Sequence, residues 1–215
     1  MQGENQDAAD VEEFGECMQA KRDDVFRVGL QNITNLSEKK NVSKSHQIIS
    51  YIVQKQFDVF MMTEVGLCWK FVALTDQWFE RIFGKFRSSR SCFGYNKTEL
   101  DKSKTLQPGG VGIIAVDDSS HRVTLQGRDE SGLGRWAWLK LQGRQGVSTI
   151  VVTVYRPCDS NGPETVNQQH RRYLAKKKRT EEPRTALYTD LFEEITAWKL
   201  AGSQIILGID ANEDV

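Results

Sequence analysis

Four short apolar runs in this chain stop on a residue with a polar head. Val28-Gly-Leu-Gln-Asn32 ends on an amide and Asp58-Val-Phe-Met-Met-Thr-Glu64 on a carboxylate. Thr149-Ile-Val-Val-Thr-Val-Tyr155 ends on a phenol followed by Arg156-Pro157, and Gln204-Ile-Ile-Leu-Gly-Ile-Asp210-Ala-Asn212 ends on a carboxylate and an amide. Runs of this length, with β-branched and bulky side chains, predict buried strands. Around the first, Phe26, Val28 and Leu30 alternate with Arg27, Gly29 and Gln31, which suits a strand. Further strands are predicted over 81–86, 111–116, 135–141 and 148–154, and the last over 205–209. Glycines at 109, 110, 112, 132, 134, 143 and 146 supply the turns of a β-meander in the middle of the chain.

Helical periodicity is confined to four stretches. Ile48, Ile49, Ile52 and Val53 share one face of 44–57, and aromatic spacing predicts a helix over 69–79. Two more are predicted over 164–180 and 184–200, the latter with Leu187, Leu191, Ile195 and Trp198 in one stripe and Ala201-Gly202 as its stop. Helices interspersed with many strands predict an α/β layered domain with the helices outside the sheets. Residues 1–24 differ in texture, with eight acids against two bases and few large apolar groups, and predict an acidic mobile tail ahead of a domain over 25–215.

Composition excludes more than it selects. The chain has 215 residues, enough for one domain with a substantial core. Lys plus Arg and Asp plus Glu balance at 29 each, so no global field points to nucleic acid or membrane. Cys17, Cys68, Cys92 and Cys158 show neither Cys-x-x-Cys spacing nor a histidine pair nearby, which argues against zinc and redox motifs and for free thiols. No amino-terminal apolar segment and no run approaching ~18 apolar residues is present, so the expectation is a soluble intracellular protein without a membrane partner.

The strand-end residues suit phosphoester hydrolysis. That chemistry needs a divalent cation against developing charge, a carboxylate to hold it, and groups that orient the attacking water. Glu64 can hold the ion, and Mg²⁺ or Mn²⁺ accepts oxygen ligands and keeps its waters, so one or two carboxylates suffice. Asp210 can align the water, Asn32 and Asn212 can hold phosphate oxygens through amide N–H groups, and Tyr155 can donate its hydroxyl. Each residue has a blander use, since Asx-turns commonly end strands.

The order Asn32, Glu64, Gly109-Gly-Val-Gly112, Tyr155-Arg-Pro157 and Gly208-Ile-Asp-Ala-Asn212 resembles the endonuclease/exonuclease/phosphatase superfamily, which includes deoxyribonuclease I. The resemblance covers about residues 25–215 and implies a four-layer α/β sandwich, two mixed sheets flanked by helices, cleaving phosphoester bonds with Mg²⁺ or Mn²⁺. It implies Asn32 as a phosphate-orienting amide, Glu64 as the metal carboxylate, Tyr155 as a phosphate contact, and Asp210 with Asn212 as the pair positioning the nucleophile. Cys158 after Tyr155-Arg-Pro157, then Gly162-Pro163 and Gln168-Gln169, is similar to the non-LTR retrotransposon endonucleases. That branch implies DNA as partner and a nuclear location in a eukaryote. Two departures count against full activity. Thr34 stands where some members carry an acid, and the family's closing Ser-Asp-His motif is not reached by Val215, so the expectation is an incomplete domain lacking its last strands.

Other motifs are less specific. Gly110-Val-Gly112 precedes a strand pattern rather than a helix, so it predicts a turn or close sheet packing and not a phosphate loop. Arg171, Arg172, Lys176, Lys177, Lys178 and Arg179 concentrate six bases in a segment without acids, which is either a solvated helix face or a sequence-independent contact to a nucleic-acid backbone. Trp136 and Trp138 face one side of a strand and predict core. Three functional readings follow: a metal-dependent DNA-nicking domain, a phosphatase or phosphodiesterase on a small phosphorylated molecule, and a non-catalytic remnant that binds nucleic acid. No protein partner is deducible.

Overall fold

The computed structural model describes residues 20–36 and 43–213. Most of the predicted acidic tail therefore lies outside the described residues. Within its last part, the Lys21 ammonium sits 2.6 Å from the Asp58 carboxylate.

Eight strands form two four-stranded sheets. The first has the order β1-β2-β4-β3, built from β1 (Val28–Asn32), β2 (Val59–Thr63), β3 (Ser89–Gly94) and β4 (Val111–Val116). The second has the order β5-β6-β7-β8, from β5 (Val123–Arg128), β6 (Trp136–Gln142), β7 (Ser148–Tyr155) and β8 (Ser203–Asp210). Both sheets are mixed. β1 runs parallel to β2, and β8 runs parallel to β7, while the remaining pairs are antiparallel. The parallel pairs place Asn32 beside Thr63 and Tyr155 beside Asp210, so the polar strand ends come out on one rim.

Alternation explains the stacking of the layers. In β2, Val59 and Met61 point inward against Ala137, Leu139 and Val151 of the second sheet, and in β4 Ile113 does the same. Phe60, Met62 and Ile114 point outward, where Ile48, Ile49 and Ile52 of α1 (Ser43–Gln54) cover them. Both faces of β2 are buried, which is why its sequence reads as an unbroken apolar run. On the other side, Trp136, Ile150, Val152 and Val154 meet Leu187, Leu191 and Trp198 of a long helix over Pro183–Leu200. The result is a four-layer α/β sandwich, as the resemblance implies. Trp138 stacks edge-on to Trp198 at 5.6 Å, so the tryptophan pair belongs to the core.

Several elements differ from the expectations. The segment 69–77 is a loop with one 3-10 turn at Leu74–Asp76, because the Gln77 amide donates to the Trp69 and Val72 carbonyls at 2.9 and 2.8 Å in place of helical bonds, and a helix begins only at Trp78. The strand expected over 81–86 is instead the end of a short helix, α2 (Trp78–Ile82), and the turn that follows it. Arg81 is buried there, donating to the Asp76 carbonyl at 2.7 Å and the Ser45 hydroxyl at 3.0 Å. A polar five-residue helix, α3 (Asp117–His121), precedes β5. The two later helices are α4 (Val166–Lys176), capped by the Thr165 side chain, and α5 (Pro183–Leu200), with proline in its first turn.

Candidate active site

The rim where β1, β2, β7 and β8 end brings together the residues that the strand-end pattern singled out. The Asp210 carboxylate, carried by the second sheet, is held by two donors from the first. The Asn32 amide donates to Asp210 Oδ2 at 2.9 Å, and the Thr63 hydroxyl donates to the same oxygen at 3.1 Å. One carboxylate oxygen of the second sheet is thus fixed by two donors of the first. Asn32 is itself oriented: its Oδ1 accepts the Thr34 backbone N–H at 2.9 Å and the Thr34 hydroxyl at 3.3 Å. Thr63 is fully buried, and the strand-end pattern missed it because a threonine inside an apolar strand carries no motif.

Glu64 follows Thr63 directly. Its backbone lies in the left-handed region at φ 51°, where non-glycine residues are uncommon. Two chain pairings over-determine it: the Glu64 carbonyl accepts the Asn35 N–H at 2.7 Å, and the Val65 N–H donates to the Gly110 carbonyl at 3.1 Å. Gly110, at φ 81°, is part of the glycine turn that braces this segment, so its role is backbone approach and not phosphate cradling. Thr34, Asn35 and Asn212 also have positive φ, at 42°, 67° and 46°. Four strained positions around one rim, each costing on the order of 1–3 kcal/mol, mark a segment held by its surroundings.

The Tyr155 hydroxyl donates to Glu64 Oε1 at 3.3 Å and lies 3.9 Å from the Cys158 sulfur. Burial raises its pKa well beyond the usual tyrosine range, with Cys158, Glu64 and Asp210 adding to the effect, so it stays a protonated donor. Asn212 does not bond to Asp210. Its amide N–H donates to the Arg156 carbonyl, and its Oδ1 accepts the Cys158 thiol at 3.2 Å. Arg156 and Arg184 clamp this turn, donating to the Ala211 and Asn212 carbonyls at 3.1 and 2.8 Å and both engaging the Glu213 carboxylate. Cys158, Arg156 and Arg184 are thus supporting residues that motif reading did not assign.

The donor set fits a hydrated Mg²⁺ or Mn²⁺. Glu64 supplies a half-buried carboxylate amid oxygen donors, and such an ion retains most of its waters when one or two carboxylates bind it. Among the described residues no group of three or more His, Cys, Asp and Glu is placed to hold a metal ion. The three histidines lie elsewhere, His46 on α1, His121 on α3 and His170 buried on α4. Cys68 and Cys92 are buried free thiols and Cys158 an exposed one, while Cys17 lies outside the described residues.

The basic segment is partly neutralised. Arg171 pairs with Glu182 at 2.6 Å, Arg172 with Glu99, and Arg179 with Glu181 and Asp190 at 3.0 and 2.9 Å. Lys176, Lys177 and Lys178 form no ion pair among the described residues. The three lysines are the part of the segment whose charge no carboxylate pairs with among the described residues.

No protein-family model and no curated protein sequence matches the chain. Solved structures do. The human Nocturnin catalytic domain, determined with a bound sulfate anion, is 14% identical with a TM-score of 0.53 over 88% of this chain and 64% of its own. A Neisseria 3′ phosphatase, NExo, bound to a product DNA hairpin, is 13% identical with a TM-score of 0.51 over 87% of this chain and 58% of its own. The chain thus spans about three fifths of the length of these structures. Among the described residues no helix is long and apolar enough to cross a membrane. The two mixed sheets, their covering helices and these likenesses together give the chain the fold of the endonuclease/exonuclease/phosphatase, or deoxyribonuclease I-like, superfamily.

Proposed function

We propose that the chain is a metal-dependent phosphodiesterase domain that nicks DNA, of the retrotransposon endonuclease type. The observation that carries this reading is the Asp210 carboxylate held across the two sheets by Asn32 and Thr63, beside Glu64 and a protonated Tyr155 hydroxyl. Asp210 accepts a hydrogen bond from water and aims it at phosphorus. Tyr155 turns its hydroxyl from Glu64 to a non-bridging phosphate oxygen, and the second amide N–H groups of Asn32 and Asn212 donate to the same phosphate. Glu64 would hold Mg²⁺ or Mn²⁺, which when bound neutralises charge on the phosphate and the leaving oxygen. Cys158 behind Tyr155-Arg-Pro157, with Gly162-Pro163 and Gln168-Gln169, supports the retrotransposon-type reading.

The test is conversion of supercoiled plasmid to open circle by the chain in Mg²⁺ or Mn²⁺. Nicking should vanish in EDTA and in Asp210→Ala. Equal nicking in either condition would overturn the reading. Lys176, Lys177 and Lys178 favour a second reading, a non-catalytic nucleic-acid binder. It predicts salt-sensitive retention of labelled DNA without cleavage, lost when the three lysines become alanine.

A further inference from the structure

The end of the sandwich opposite the rim carries a separate cleft of about 1150 Å³, where β1 and β2 begin and β4 and β6 end. It shares no lining residue with Glu64, Tyr155 and Asp210. Phe26, Ile52, Val53, Phe57, Phe86 and Val116 give it an apolar lining, and Val53 is 53% exposed, so part of that lining is uncovered. Its charges do not balance. Lys21 holds Asp58 at 2.6 Å, Arg22 holds Asp24 at 3.1 Å, and Arg87 holds Asp117 and Asp118 at 3.8 and 3.1 Å. Lys85, Arg122 and Arg144 have no carboxylate partner among the described residues, against Asp23 alone on the acidic side. The Arg122 guanidinium lies over the Phe26 ring at 5.2 Å, so a basic group and an apolar face are offered together.

That combination discriminates between anionic partners. A nucleic-acid backbone presents an unbroken row of phosphates, which the carboxylates standing between the basic groups would repel, and it leaves the apolar lining unused. A small anion would not fill a cleft above the ~300–1,000 Å³ of small-ligand sites. An acidic peptide with spaced apolar side chains meets both features. This chain contains one: residues 4–16, outside the described residues, hold Glu4, Asp7, Asp10, Glu12, Glu13 and Glu16 with Val11 and Phe14 and without a lysine or arginine. The chain then joins the wall of the cleft at Lys21, five residues after Glu16. Seven residues separate Phe14 from Lys21 and can span up to about 24 Å, so the tether permits contact and raises the effective concentration of the segment at the cleft. We propose that this cleft is the docking site of the acidic segment 4–16 of the same chain, its acids answering Lys85, Arg122 and Arg144 and Phe14 answering the apolar lining.

A labelled peptide with the sequence of residues 4–16 tests this in trans by fluorescence anisotropy, with no metal and no hydrolysis. It is titrated into the full chain and into the full chain carrying Asp10→Asn, Glu12→Gln, Glu13→Gln, Phe14→Ser and Glu16→Gln. The unaltered chain should bind the peptide at least about tenfold more weakly than this variant, because its own segment competes for the cleft. Binding to the variant should weaken as salt rises and be lost when Lys85→Glu and Arg144→Glu are added, both at exposed positions without a side-chain bond among the described residues. Lys102→Glu, an exposed charge reversal outside the cleft, should leave it intact and so controls for net charge. Equal affinity for the two chains, binding to neither, indifference to the Lys85 and Arg144 reversals, or displacement of the peptide by duplex DNA would each overturn the proposal.

Discussion

Replacing His170 with leucine should make the protein markedly less sensitive to mild acid. The imidazole is 2% exposed beneath α4. Its burial, with the Arg135 guanidinium as the second cause, lowers its pKa from 6.5 to about 4, against partial support from Asp129 and Glu99. Above pH 6.5 the ring is neutral in both folded and unfolded chains. As the pH falls from there, the unfolded chain takes up a proton that the folded chain refuses, so stability is lost down to about pH 4, where the loss stops. At ~1.36 kcal/mol per pH unit the whole effect is about 3 kcal/mol, with about 2 kcal/mol of it between pH 7 and 5. Urea unfolding at those two pH values, in wild type and His170→Leu, isolates the term, because the acid responses of other groups cancel in the difference. Wild type should lose about 2 kcal/mol more than the variant over that interval. An equal loss in both proteins would refute the assignment of a buried neutral ring.

Three further outcomes follow from the site. Thr63→Val removes the buried hydroxyl that donates to Asp210 Oδ2 and keeps the shape; the lost bond to a carboxylate is worth about 1.5–3 kcal/mol, so kcat for nicking should fall about tenfold or more with KM little changed. An unaltered kcat would show that Asn32 alone orients Asp210. Iodoacetamide should inactivate the wild type and spare Cys158→Ser, because the Cys158 thiol is exposed and touches Asn212, whereas burial raises the pKa of Cys68 and Cys92; inactivation of both proteins would place the sensitive thiol elsewhere. Gly208→Ala would put a Cβ 2.5 Å from the Met61 Cε; the flexible thioether can swing aside, so urea unfolding should show a cost of about 1–3 kcal/mol, with a larger fractional loss of nicking than of stability.

What was legible in the chain depended on burial. β2, β4 and β7 pack on both faces, and their runs of Val, Ile, Met and Phe announced them. β3 and β5 pair at sheet edges and leave serine, arginine and glutamine outward, so Ser89–Gly94 and Val123–Arg128 offered no apolar run. The stretch after Trp69 misled for a different reason. Its apolar side chains do reach the core, with Trp69 and Val72 both buried, but they are placed by a loop whose backbone the Gln77 side chain satisfies. At the candidate site, Asn32, Tyr155 and Asp210 were visible because each terminates a strand, and Glu64 because it directly follows an apolar one. Thr63, Arg156 and Arg184 were not, since their contribution is a bond to another residue's carboxylate or carbonyl, and spacing along the chain does not encode such a partner.

The arrangement of the two sheets explains why one rim gathers the polar strand ends. Asn32 and Thr63 leave the first sheet on neighbouring parallel strands, and Tyr155 and Asp210 leave the second in the same way. Parallel neighbours end side by side, so each sheet delivers two polar groups to one rim. Between the sheets lie Val59, Met61 and Ile113 against Leu139 and Val151, close-packed residues that resist sliding. The bonds from Asn32 and Thr63 to Asp210 cross that interface, so their length is set by the core and not by local turn geometry. The positive φ values at Thr34, Asn35, Glu64 and Asn212 then fall where the chain must turn sharply as it leaves the strands while keeping its side chains on the rim. A rim built in this way holds Asp210 in place, because the folding energy of the sandwich has already offset the cost of bringing its carboxylate to two donors; on the proposed reading, that is preorganisation for the attacking water.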